Sequence, residues 1–203
     1  MQLRFKTGLT SEQYVSRQAW RDASLDRCPL HPHGDCSFAR HGTYERVNPP
    51  GVRIPRWYCP QGHRTFSLLA DCFAARLPGS LLDLEQVVAK VEQAKSLEAA
   101  ADRVRRDAVG LPGAIRWTRR RVKRVQAILT TLIGLLPEFF LGCQPTVGAI
   151  RLRLKLEYCL PRLREIAAPH LSQLAPPLGF APPARRGGEY QKLKQHHSGP
   201  DPP

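Results

Sequence analysis

The sequence predicts an α+β protein, in which a small β-hairpin unit is followed by a mostly α-helical region and a disordered C-terminal tail. Three observations support this prediction. Two clusters of Cys and His flank a β-prone segment within residues 26–80. Residues 81–170 are rich in Ala, Leu and Arg, with apolar side chains at helical spacing. Residues 171–203 are rich in Pro and Gly, and we expect disorder because they offer too little apolar surface to offset their ordering entropy.

Net charge and cysteine content indicate which kind of partner and which compartment to expect. The chain has 203 residues and a formal net charge of +14, from 31 Lys and Arg against 17 Asp and Glu. Such a charge favours a polyanionic partner such as DNA or RNA. Residues 1–25 form a polar lead-in without the apolar run of a secretory signal. The six Cys are therefore expected to be thiols or metal ligands in the cytoplasm rather than disulfides.

The most apolar stretch, residues 127–143, is not expected to cross a membrane. It contains Gly134, Pro137 and Glu138, and it is short for a transmembrane helix. A buried helix, or a helix that forms a homodimer through residues 127–140, fits this composition better.

The β-prone segment between the two clusters predicts a hairpin. Residues 41–47 form the first strand, the turn Asn48-Pro49-Pro50-Gly51 follows, and residues 53–58 form the second strand. Residues 64–68 add a third strand. The order of knuckle, hairpin and knuckle is the layout of a zinc ribbon.

The two clusters supply the candidate metal ligands. The first reads CPLHPHGDC from Cys28 to Cys36, and the second reads CPQGH from Cys59 to His63. A structural zinc ion takes four Cys or His ligands in a tetrahedron, which two tight turns with two ligands each provide. The predicted ligands are Cys28, Cys36, Cys59 and His63, with His31 as the alternative to Cys36. Because Cys and His exceed four and neither cluster contains Glu, we expect a closed structural Zn²⁺ site rather than a catalytic one.

Three helices are expected after the ribbon. Ser80 and Asp83 resemble a capping box at the start of the first helix, and Ser96 is expected to begin the second. A turn over residues 109–113 then leads to a third helix, which continues to Pro137. A helix, a Gly-containing turn and a basic helix form the order of a helix-turn-helix motif.

The third helix is expected to bind DNA. Six Lys or Arg and no acid lie between Leu111 and Arg124. The second helix of a helix-turn-helix motif enters the major groove, where Arg contacts phosphates or guanine edges. The predicted DNA-binding residues are Arg116, Arg119, Arg120, Lys123 and Arg124.

Two strings of the sequence carry a family resemblance. RHGTYERV, from Arg40, and RWYCPQGHRTFSLLADC, from Arg56, resemble the N-terminal zinc-ribbon segment of bacterial insertion-sequence transposases and their short relatives. That family has a CPxC knuckle, an RHGxYxR strand, a CPxCGxTFSLLP run and then a helix-turn-helix. The likeness covers roughly residues 26–125 and implies DNA binding at element ends. The chain departs from the pattern at His31 and at Gly62, both of which stand where the family has Cys.

The resemblance does not imply catalysis. Full transposases carry a further RNase-H-like domain with widely spaced acids, whereas this chain has only five acidic residues after Asp107 and no P-loop, Rossmann or Ser-His-Asp pattern. We therefore expect a non-enzymatic zinc-stabilised DNA-binding protein, either a transposase remnant or a stand-alone regulator, with no small-molecule substrate. The alternatives are an RNA-binding zinc protein and a helix-mediated protein-interaction module with a structural zinc.

Overall fold

A computed structural model of the chain describes residues 1–105 and 110–182. Within these ranges it contains one four-stranded sheet and seven α-helices, which confirms the α+β class. The strands are β1 (Gln2–Phe5), β2 (Ala39–Glu45), β3 (Arg53–Cys59) and β4 (Arg64–Ala70). The helices are α1 (Ser11–Ser16), α2 (Leu81–Glu92), α3 (Leu97–Val104), α4 (Leu111–Leu135), α5 (Pro137–Phe140), α6 (Val147–Leu154) and α7 (Leu160–Ile166), followed by a 3-10 turn at Ala168–His170.

The sheet contains the three strands that the sequence predicted and one that it did not. Its order is β1-β4-β3-β2, with β2–β3 and β3–β4 antiparallel. In the hairpin, Tyr44 pairs with Ile54, and the register shifts between Arg40 and Thr43. The additional strand, β1, runs parallel to β4 and pairs Leu3 with Leu68.

Residues 1–25 belong to the fold and are not only a polar lead-in. They supply β1 and also α1, which begins at a capping box between Thr10 and Gln13. On α1, Tyr14 is fully buried, and its ring meets the ring of Phe73 edge to face with the centroids 5.1 Å apart. The first segment of the chain thus packs against the segment that follows β4.

The helix starts follow the predicted capping signals. The Ser80 hydroxyl accepts a hydrogen bond from the Asp83 amide, and the Asp83 carboxylate accepts one from the Ser80 amide, each at 3.0 Å. Ser96 caps α3 by accepting from the amide of Ala99. Residues 106–109, which include the start of the predicted turn, lie outside the described residues.

The sheet and the helices share one hydrophobic core. It joins Ile54 and Leu69 of the sheet to Leu84 of α2, Leu129 of α4 and Leu163 of α7, all of them buried. Residues 26–80 and 81–170, which the sequence divided by composition, therefore pack as one body. Burial of apolar surface is the main force that holds such a body together.

The prediction of a disordered tail from residue 171 is wrong for residues 171–182. Leu171, Leu174, Leu178 and Phe180 are buried in the shared core. Their spacing is irregular and interrupted by Pro, so no helical or strand period marks them as core residues. The remainder of the predicted tail, residues 183–203, lies outside the described residues.

The buried side chain of Arg164 fixes this last segment. Its guanidinium donates to the carbonyl oxygens of Asp71 at 2.8 Å, Phe73 at 2.7 Å, Pro177 at 2.6 Å and Leu178 at 2.9 Å. These backbone oxygens solvate the positive charge. Through them, Arg164 also links the segment after α7 to the segment after β4. Burial lowers the pKa of Arg164 to about 10, so the side chain remains protonated at neutral pH.

The apolar stretch at residues 127–143 is buried on one side only. Leu132 and Leu136 are buried in the core of their own chain, while Leu135, Phe139 and Leu141 are exposed. A homodimer through residues 127–140 would thus have to use the exposed side chains of this stretch. Among the described residues, no helix combines the length and the apolarity that crossing a membrane requires.

Candidate metal centre and basic helix face

The candidate metal centre lies at one end of the β3–β4 hairpin. Cys59 is the last residue of β3, and the loop before β2 brings up Cys28, His31 and Cys36. The ligand atoms of these four residues all lie within 4.8 Å of one another. The structure therefore contains a Cys3His cluster able to hold a metal ion, in which His31 and Cys36 both take part rather than one replacing the other.

The distances fit zinc. The His31 Nδ1 atom lies 3.5 Å from the Cys28 sulfur and 3.4 Å from the Cys59 sulfur. A tetrahedral zinc ion with ordinary bond lengths places a sulfur and a nitrogen ligand about 3.5 Å apart, and two sulfurs about 3.8 Å apart. The two nitrogen–sulfur distances at His31 match the first of these separations.

Backbone turns hold the donors in place. The His31 amide donates to the Cys28 carbonyl at 3.1 Å, and the Gly62 amide donates to the Cys59 sulfur at 3.3 Å. A Cβ at Gly62 would lie 2.4 Å from the Cδ1 atom of Leu30, so a larger residue would fit only if the Leu30 side chain moved away. Gly62, one of the two departures from the transposase pattern, thus leaves room for the Leu30 side chain.

The electrostatics of the cluster favour a bound cation. Burial raises the pKa of the Cys28 thiol, but hydrogen bonds from His31 and nearby backbone amides outweigh this effect and lower the pKa to about 6. Burial and the neighbouring Cys28 and Cys59 sulfurs raise the pKa of Cys36 to about 11. Three thiols this close cannot all ionise without a compensating positive charge. A divalent metal ion bound here would supply that charge.

His63 is not in the cluster, which corrects the predicted ligand set. It closes the turn from Pro60 with a φ of 45°, in the left-handed region, and its side chain is exposed. Its Nδ1 atom lies 3.4 Å from the hydroxyl of Tyr58. The spacing of CPQGH is compatible with a ligand at either end, and of the two residues only Cys59 lies in the cluster.

The five predicted DNA-binding residues are all exposed on α4. Residues 116, 119, 120, 123 and 124 follow the spacing of one helix face, and α4 contains no acidic residue. The opposite face is buried in the core through Val125, Ile128, Leu129 and Leu132. A basic face is thus presented on a helix that the core holds in place.

Arg121 differs from its basic neighbours, which the sequence did not indicate. It is buried, and its guanidinium carbon lies 3.6 Å from the centre of the Trp117 ring. Burial, together with the nearby Arg124, lowers the pKa of Arg121 to about 10. Trp117 therefore serves as a platform for this arginine and is still partly exposed.

No protein-family model, curated protein or solved structure matches this chain. The resemblance to insertion-sequence transposases stays a prediction from the two sequence strings.

Proposed function

We propose that the protein binds duplex DNA through the basic face of α4, and that a structural Zn²⁺ ion at the Cys3His cluster holds the sheet end of the fold. The observation that carries this proposal is the set of five exposed cations between Arg116 and Arg124 on one face of α4. The resemblance to transposase ribbons points to the same class of partner.

The charge arrangement supports phosphate binding. At 1.5 Å per residue, the basic face extends for about 12 Å along the helix axis. Because α4 has no acidic side chain, none of these cations is neutralised within its own helix. Duplex DNA carries one negative charge per roughly 1.7 Å of axis, so a face of this length meets several phosphates at once.

The donor set supports a structural role for the metal. Four protein ligands close the coordination sphere of zinc and leave no position for a catalytic water. Cys28 and Cys59 are buried and share a small apolar cluster with Phe66. Zinc would thus contribute folding free energy to a sheet end that has little core of its own.

The test is a binding measurement on the zinc-loaded protein across a salt series. We compare the wild type with the variant R116A/R120A/R124A and with the control K90A/K95A/R103A, which removes three exposed cations from outside α4. We expect the α4 variant to bind duplex DNA more weakly. Its slope of log affinity against log salt should become shallower by about 0.9 for each phosphate that the variant can no longer neutralise.

The control variant should keep most of the affinity and of the slope. Equal reductions of affinity in the two triple variants would show that only the overall charge matters, and would overturn the assignment to α4. A competition between duplex DNA and single-stranded or duplex RNA separates the alternative, because an RNA-binding protein would prefer RNA at equal salt.

A further inference from the structure

An open cleft lies on the sheet, away from the metal centre. It has a volume of about 260 Å³ and is lined by Gln2 of β1, Tyr44 of β2, and the loop residues Arg46, Asn48 and Arg76. None of the residues that line it belongs to α4. The cleft is therefore a separate feature from the basic helix face.

The polar side chains of the cleft have few partners. Within residues 1–105 and 110–182, the side chains of Gln2, Tyr44, Asn48 and Arg76 form no hydrogen bond with the protein. The side-chain oxygen of Gln2 is buried without a partner. Buried polar groups normally find partners, and a flip of the Gln2 amide would place its NH2 group, which donates to an anion, where the oxygen now lies.

Strand register adds a second unpartnered group beside the cleft. Gln2 and Arg56 both pair with Ser67, so these three residues form one row across β1, β4 and β3 on the same face of the sheet. The Arg56 guanidinium lies 5.7 Å from the centre of the Tyr44 ring, and its Nε atom is buried without a partner.

The cleft carries positive charge that no carboxylate balances. No acidic group of the described residues lies within 4.0 Å of Arg46, Arg56 or Arg76. The terminal nitrogens of Arg46 donate to the carbonyl oxygens of Ala74 and Gly79, which are uncharged and do not neutralise the guanidinium. Arg46 and Arg76 line the cleft, Arg56 lies beside it against the Tyr44 ring, and their combined positive charge attracts an anion.

We propose that this cleft binds a phosphate group. The planar guanidinium of Arg76, which has no hydrogen-bond partner among the described residues, matches two phosphate oxygens at once, and the free donors of Asn48 and Tyr44 add to the site. The cleft is smaller than the roughly 300–1,000 Å³ of pockets that enclose a whole small molecule. It therefore fits a single anionic group, either free phosphate or a phosphate of a nucleic acid strand. The proposal does not depend on DNA binding by α4.

Substitution of Arg76 tests the proposed phosphate site. Arg76 is exposed and has a φ of 54°, a left-handed conformation that glycine adopts without strain. The variant R76G removes the guanidinium and keeps the backbone conformation, so we expect it to fold. The matched control is R17A, which removes an exposed arginine at the end of α1.

The experiment is an NMR titration of the full chain with inorganic phosphate, against chloride at the same ionic strength. We expect saturable shifts of the Gln2, Asn48 and Arg76 amides in the wild type and in R17A. Removal of a charged hydrogen-bond donor should weaken binding in R76G by about tenfold or more. Shifts that chloride reproduces, or equal affinity in R76G and R17A, would overturn the proposal.

A second titration separates the two sources of phosphate. A trinucleotide without terminal phosphates is added to the phosphate-saturated protein. Displacement of phosphate with shifts of the same amides identifies the cleft as a site for backbone phosphates. Retention of phosphate identifies it as a site for free phosphate or a phosphate monoester, and both results support the site. The variant R116A/R120A/R124A should bind phosphate in the cleft as the wild type does, even if α4 proves unable to bind DNA.

Discussion

Two histidines of the ribbon segment have the same chemistry and different surroundings. His31 faces the sulfurs of Cys28 and Cys59, while His63 faces the hydroxyl of Tyr58 on the outside. A neutral imidazole needs its nitrogen lone pair within bonding distance of the metal, so position decides which of the two is a ligand.

We predict that H31A lowers the zinc bound per chain, while H63A leaves it unchanged. Removing one of four ligands weakens zinc binding because the coordination shell is left open to water. The measurement is zinc content by atomic absorption after dialysis against a weak chelator. A reduced zinc content in H63A with full retention in H31A would restore the ligand set expected from the sequence and contradict the geometry.

The cluster could be predicted only in part from the sequence. Cys28, Cys36 and Cys59 were identified from their two turns, and His31 was considered as an alternative to Cys36. His63 lies outside the cluster, in a turn where its φ is 45°, a conformation that no spacing rule reports. The close approach of Leu30 to Gly62 joins residues 32 positions apart in the chain, and local sequence gives no sign of it.

Among the elements, α2 contacts the starts of α6 and α7 through two glutamates. Glu85 and Glu92 are seven residues apart and so lie on the same helix face. Glu92 accepts from the amides of Val147 at 2.8 Å and Gly148 at 3.0 Å, at the start of α6. Each glutamate satisfies amides at a helix N-terminus, which have no partner within their own helix.

Glu85 is the more deeply placed of the two. It is fully buried and accepts from the amides of Cys159 at 2.7 Å and Leu160 at 2.8 Å, at the start of α7. The Nε atom of Arg151 donates to the same carboxylate at 2.7 Å. One side chain thus joins α2, α6 and α7.

We predict that E85Q lowers the free energy of unfolding by about 3 kcal/mol, because it removes one partner of a buried ion pair and turns an amide donor toward backbone donors. E92Q should cost about 1 kcal/mol, since Glu92 is only partly buried. The measurement is urea denaturation followed by circular dichroism. E98Q, on the exposed side of α3, is the control and should lie within about 0.5 kcal/mol of wild type.

Element boundaries were easier to predict than element partners. The hairpin and the capped starts of α2 and α3 follow from alternation, turn residues and caps within a few positions. β1 was missed because it has four half-buried residues and its parallel partner begins 65 positions later, at Ser67. Glu85 has its partners 74 and 75 positions away, so the apolar spacing of α2 predicts the helix but not its role.

At the scale of the whole molecule, the Cys3His cluster and the helices are parts of one packed body. The small clusters around Trp57 and Phe66 share Leu3 and Phe38, and Phe5 packs against both the Trp57 cluster and the shared core. Apolar packing is thus continuous from the sulfur ligands to α7. Domains that share a core usually unfold together.

We predict that a strong chelator lowers the melting temperature of the entire protein in a single transition. Zinc that binds only the folded state stabilises it by about 4 kcal/mol when its concentration is a thousand times the dissociation constant. Tryptophan fluorescence and helical circular dichroism should give coincident curves with and without zinc. Separate transitions, or a chelator effect on fluorescence alone, would show that the ribbon and the helices are independent.

The shared core was beyond prediction from the sequence because its members come from every part of the chain. Composition divides the chain at residue 80, and the Pro content of residues 171–182 suggests a tail. The burial of Leu171 and Phe180 depends on the surface that α7 and the segment after β4 present together. Such a surface exists only once the rest of the chain has folded.

The four carbonyl acceptors around Arg164 become available at different times as the chain leaves the ribosome. Two of them belong to Asp71 and Phe73 and are synthesised long before the arginine, and the other two, at Pro177 and Leu178, follow it by 13 and 14 residues. Until those last residues emerge from the exit tunnel, the guanidinium lacks half of its backbone acceptors and is better solvated by water. Arg164 therefore has all four of its backbone acceptors only once residues 177 and 178 are available.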